Sequence, residues 1–173
     1  MARSYSAALP IAYVVLKILV ILNWLVGAAI LALLVVMPNE QWIMSAFKIE
    51  PSPDADRLIM GLRAIAVVGL VTVPINYLIL RRLLAMVDTV RVGDPFVAAN
   101  ARRLRDIAWA LLSLQLLGLV IAAIVRLIST PVHPVDIDAG LSVYRWLALL
   151  LTFVLARVFA EGTVMREDLE GTV

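Results

Sequence analysis

The chain has no cysteine and one histidine among its 173 residues, and only 16% of them are charged. Without cysteine it has neither a disulfide framework nor a thiolate metal site. The lone histidine, His133, sits between Pro131 and Pro134 with no companion ligand nearby, so no metal centre is expected. Paired carboxylates at an interface, a nucleophile with its base, or a metal cluster would mark a membrane hydrolase or transferase, and none is found. The acids gather instead in the outer loops and the last thirteen residues. These absences point away from an enzyme and away from any cofactor.

What the chain has in excess is apolar surface. Its hydrophobic share is 63%, against roughly 45 to 50% in ordinary soluble domains, and its mean hydropathy is +0.99. Ile18 to Met37 and Ile107 to Val125 carry no charge over twenty and nineteen residues, each close to the ~20 needed to cross a hydrocarbon core. Ala64 to Leu80 adds seventeen, bounded by Arg63 and by Arg81 with Arg82. A fourth stretch, from Gly140 to Ala160, contains Arg145 and Arg157. They lie about 18 Å apart along a helix, so each side chain reaches its own interface. The first stretch is too long for the core of a signal peptide and is read as a retained helix.

The reading is an all-α integral membrane four-helix bundle, with spans at about 11–37, 60–80, 107–128 and 140–160. Orientation follows from arginine and lysine in the short loops. Six arginines lie between Leu80 and Ile107, whereas the first loop carries only Lys48 and Arg57 among four acids and the last one arginine and two aspartates. The arginine-rich loop is expected in the cytoplasm, and both ends of the chain with it. Trp42, Ile43 and Phe47 of the first loop are expected at the opposite membrane surface.

Residues 81–106 read as a helical hairpin that prolongs the second and third spans into the cytoplasm. Leu80, Leu83, Leu84, Val87 and Val90 keep a helical period before Gly93, and Val97, Ala101, Leu104, Ala108 and Leu111 keep one after it. Gly93 suits a helix C-terminus, Asp94 an N-cap and Pro95 a first helical position. Six arginines against three aspartates give the hairpin a charge of +3. The acidic tail, 161–173, carries −3 from its side chains, so tail and hairpin are expected to attract each other. The hairpin arginines are expected either to touch anionic lipid headgroups or to form a docking head for a cytosolic partner, which the tail competes for or completes. Direct nucleic-acid binding is not expected, because the basic run has no interleaved aromatics.

Each span holds one polar side chain within about 6 to 12 Å of the cytoplasmic boundary: Asn23, Asn76, Gln115 and Thr152. In hydrocarbon such groups need partners. They read as an intramembrane polar cluster that clasps the bundle, or alternatively as a small ligand pocket. Pro74 removes a backbone hydrogen bond and marks a kink or swivel in the second span. Ala28 with Ala32, and Gly118 with Ala122, offer close helix contacts within the bundle or between copies.

Gly93, Asp94, Pro95 and Phe96, followed by Asn100, Arg103 and Leu104, resemble a bacterial membrane family known as domain of unknown function twenty-nine seventy-five. The likeness continues through Phe159, Gly162, Arg166, Glu167, Asp168 and Leu169 to Thr172 and Val173. Ala99 and Gly171 depart from the pattern. The resemblance implies a bacterial cytoplasmic (inner) membrane protein that holds or releases a small Cro/cI-type helix-turn-helix regulator. The residues expected to face such a partner are Phe96, Asn100, Arg102, Arg103 and Arg105 on the hairpin, with Glu167 and Asp168 on the tail. The alternatives are a homo-oligomeric transporter or channel lined by Asn23, Asn76 and Gln115, and an accessory subunit of a larger membrane complex.

Overall fold

A computed structural model describes residues 8–36, 53–129 and 142–171. The regular secondary structure there consists of four helices: α1, Ala8–Val36; α2, Pro53–Val92; α3, Ala98–Ile128; and α4, Val143–Gly171. All four are long and apolar enough to cross a membrane, so the chain is an all-helical, multi-pass membrane protein. Trp42, Ile43 and Phe47, together with His133, lie outside the described residues.

Local chemistry sets the helix ends. Proline at the first position of α2 sacrifices no bond, because an N–H there has no partner within the helix. Ser142 caps α4, its carbonyl accepting from the amides of Arg145 at 3.0 Å and Trp146 at 3.3 Å. α2 runs unbroken through Pro74. With forty residues it is about 60 Å long, roughly twice the thickness of a hydrocarbon core. What the sequence presents as an acidic tail is, up to Gly171, the last part of α4.

α2 ends in a Schellman motif. Gly93 takes φ 90°, its amide donates to the Val90 carbonyl at 3.0 Å, and the Asp94 amide donates to that of Thr89 at 3.0 Å. The expected cap at Gly93 is therefore formed. The expected start of the next helix is displaced, since α3 begins only at Ala98. Asp94 does not serve as its N-cap because its carboxylate is held by Arg166, and the Pro95 carbonyl is used by the Asn100 side chain. A side chain with a Cβ is strained at this φ, so Gly93→Val is expected to destabilise the turn by about 1 to 2 kcal/mol. Hydrogen exchange at the Asp94 amide measures this, and an unchanged rate would contradict it.

The described residues fall into two compact units. One takes the chain up to Asn23, Ile75–Ser113 and everything from Ser142 on; the other takes Trp24–Pro74 and the described residues from Leu114 to Ser129. In the second unit, helices meet at small residues. A Cβ built on Gly27 would lie 2.9 Å from Val73 Cγ1, and one on Gly61 only 2.3 Å from Ile128 Cγ2. Ile59 is buried there, with Leu34 and Leu62 packed against it. Ala28 and Ala32 are exposed, and the neighbouring Gly27 makes the close contact. In the first unit the buried side chains of α3 are Asn100, Leu104, Ile107, Ala108 and Ala110. α1 is mostly exposed along its length, but Arg91 of α2 lies 5.3 Å from the centre of the Tyr13 ring, and Lys17 lies 4.7 Å from it. Both distances are within the range of cation–π attraction.

Candidate functional site

The first unit carries the turn between α2 and α3, and Asn100 holds that turn closed. Its side chain is completely buried. The amide nitrogen donates to Thr89 Oγ1 at 2.7 Å and to the Pro95 carbonyl at 2.8 Å, while its oxygen accepts from Arg103 Nη1 at 2.7 Å. The same Arg103 nitrogen donates to the Ala85 carbonyl at 3.1 Å, and the Thr89 hydroxyl donates to the Met86 carbonyl at 2.7 Å. One asparagine thus ties α2, the turn and α3 together. A second crosslink, the Arg82–Asp106 ion pair at 2.9 Å, joins the same two helices at their surface.

α4 packs on this turn. The rings of Phe96 and Phe159 stack with centroids 5.2 Å apart. Gly162 lies beside Phe96, close enough that a Cβ there would sit 3.4 Å from Phe96 Cδ1. Asp94 and Arg166 form an ion pair across 72 residues of sequence. The attraction expected between hairpin and tail is present with its polarity reversed, the tail supplying the cation. Further along α4, Thr163 is buried and its hydroxyl donates to the Phe159 carbonyl at 2.8 Å.

Between α3 and α4 a cleft of about 320 Å³ remains open. Ala101, Arg102, Arg105 and Trp109 line it from α3, and Phe153, Ala156, Arg157 and Ala160 from α4. Trp109 and Phe153 meet edge to face at 5.7 Å on its floor. Arg157 pairs with Glu161 at 2.7 Å. Arg102 and Arg105 are exposed and make no hydrogen bond or ion pair among the described residues. A shallower groove of about 370 Å³ lies beside the turn, with Val92, Val97, Asp88 and Arg103 among its lining residues.

The residues expected to face a partner therefore separate into three groups. Phe96 is 45% exposed at the turn. Asn100 and Arg103 are committed to the internal network, and Asn100 offers no surface at all. Arg102 and Arg105 open into the α3–α4 cleft. Asp168 is exposed on α4, and the Glu167 side chain lies outside the described residues. Of the polar residues within the spans, Gln115 is buried, and Asn23, Asn76 and Thr152 are half-buried. The Thr152 hydroxyl donates to the Ala148 carbonyl at 2.7 Å, within its own helix. Asn23, Asn76 and Thr152 belong to the first compact unit and Gln115 to the second.

Sequence reasoning passed over Thr89 and treated Arg157 only as a cation reaching for its interface. A signal for the cleft was present in the spacing. Arg102, Arg105 and Trp109 are three and seven residues apart, and Phe153, Arg157 and Ala160 four and seven, each a single helical face.

No curated protein and no solved structure matches the chain. The family described as "Protein of unknown function (DUF2975)" matches residues 37–173, which takes in α2, α3, α4 and every residue of the closed turn and of the cleft. The chain belongs to the DUF2975 family.

Proposed function

We propose that this is a non-enzymatic regulatory protein of the bacterial cytoplasmic membrane, whose turn between α2 and α3 docks a soluble partner. Both ends of the chain and the turn face the cytoplasm in this reading, as the six arginines between Leu80 and Ile107 favour. The observation that carries it is a turn closed from within by Asn100 whose tip still exposes apolar side chains. Val92 is 84% and Phe96 45% exposed, and the groove beside Val92 adds a concave surface. A preorganised turn loses little conformational entropy when a partner binds, and exposed apolar side chains supply the contact area. A small helix-turn-helix regulator is the partner proposed, as the family likeness implies. Arg102 and Arg105 lie away from this tip, so the docking surface narrows to Phe96 and Val92.

The experiment is site-specific photocrosslinking in native membranes, from a reactive residue placed at Val92 and, separately, at Phe96. Mass spectrometry of the adducts is expected to recover a small soluble DNA-binding protein from both positions. Adducts with lipid or with the chain itself alone would remove the docking role and favour a homo-oligomeric transport protein.

A further inference from the structure

The α3–α4 cleft has a chemistry that the docking role does not use. Three arginines, Arg102, Arg105 and Arg157, line it, with a single acid, Glu161, paired to one of them. Two positive charges are left without a counterpart among the described residues. The floor is of the opposite character: Trp109 is 58% exposed and stands edge to face with Phe153. Alanine at 156 and 160 keeps the opening wide.

Position along the helix explains why the two chemistries meet here. Arg105 stands two residues before the uncharged run Ile107 to Val125, and Trp109 stands two residues inside it. The two side chains are about 6 Å apart along the helix axis. That step matches the passage from headgroups to acyl chains, where tryptophan is enriched and basic pockets between helices take acidic headgroups. A soluble anion would use the arginines and leave the aromatic floor exposed. A molecule bearing both a phosphate and an apolar chain uses both.

We propose that this cleft is a binding site for one anionic phospholipid, its phosphate held by Arg102, Arg105 and Arg157 and an acyl chain lying along Trp109 and Phe153. The site is a property of whichever leaflet meets this end of the helices and does not depend on the docking role. The lipid fills the gap between α3 and α4 next to the turn.

The test is native mass spectrometry of the purified full chain in mild detergent, titrated with phosphatidylglycerol or phosphatidylcholine. One phosphatidylglycerol is expected to bind with at least about tenfold preference over phosphatidylcholine, and R102Q/R105Q to lose about tenfold or more of that affinity. R81Q removes an exposed arginine outside the cleft and is expected to change affinity by less than about twofold. A160L keeps every charge and narrows the cleft, and it is expected to weaken binding as R102Q/R105Q does. Elution profile and helical circular dichroism establish that each variant is folded, and A160L and R102Q/R105Q test the site independently. Equal losses in R81Q and R102Q/R105Q would overturn the site in favour of diffuse attraction. So would equal binding of phosphatidylcholine. Release of the lipid by millimolar inorganic phosphate would reassign the arginines to a soluble anion.

Discussion

Replacing Asn100 by alanine is expected to open the turn between α2 and α3 and to free the backbone at Arg102, Arg103 and Arg105 for cleavage by trypsin. The wild-type side chain is fully buried and makes three hydrogen bonds, at 2.7, 2.8 and 2.7 Å. Its loss strands the Pro95 carbonyl and removes the acceptor that orients the Arg103 guanidinium. A buried polar group left unsatisfied costs about 1 to 3 kcal/mol, and a bond to a charged group is worth about 1.5 to 3, so a total near 3 kcal/mol is expected. At about 1.4 kcal/mol per tenfold, the open population rises by roughly a hundredfold, and cleavage rises with it when opening and closing are fast. Asn100→Leu, which restores volume without polarity, is expected to behave like alanine. Thr89→Val removes one partner of the amide and is expected to cost about 1 kcal/mol. Wild-type cleavage rates in Asn100→Ala, or an Asn100→Leu variant as resistant as wild type, would show that the polar network does not hold the turn.

Gly61→Ala is expected to destabilise the second unit by about 3 kcal/mol, the upper end of what overpacking costs. The added Cβ would lie 2.3 Å from Ile128 Cγ2, 2.8 Å from its Cδ1 and 3.2 Å from its Cβ. Two of these atoms sit at the base of a β-branched side chain, so rotating the far end of Ile128 does not relieve the clash. α2 and α3 must move apart there, and the burial of Ile59 and Ile128 falls with the separation. Ile128→Ala alone is expected to cost about 2 kcal/mol or more as a cavity, yet it removes the two nearest atoms. The double variant should therefore be more stable than the sum of the singles, with a coupling of about 1 kcal/mol or more. Midpoints of thermal unfolding in detergent measure all three, and additive losses would show that Gly61 and Ile128 do not meet.

These two effects differ in how far the sequence announces them. Gly93, Asp94 and Pro95 mark the turn in plain sight, and Asn100 stands at a fixed distance after it. That Asn100 points inward, and that Arg103 turns in with it while Arg102 and Arg105 stay outside, depends on how α3 is rotated about its own axis. In the sequence the three arginines look alike. Once α3 is placed, the 100° between successive residues of a helix separates one from the other two. Gly61 carried no mark, and of the small residues on α1 it is Gly27, next to the exposed Ala28, that makes the close contact with α2.

By itself the sequence determined that the chain is helical and multi-pass, with four runs apolar enough to cross a membrane, and that α2 closes at Gly93. Those properties depend on the length of uncharged runs and on one residue's freedom at positive φ, both of which are local. Only the tertiary structure decided which faces meet: Gly61 with Ile128, Phe96 with Phe159, Asp94 with Arg166, and the gap left between the arginines of α3 and Arg157 of α4. The physical reason lies in the solvent. In water an amphipathic stripe tells which face of a helix is buried. In lipid the outward face is as apolar as the inward one, and the pairing is settled by close packing and a few polar contacts between residues far apart in the chain.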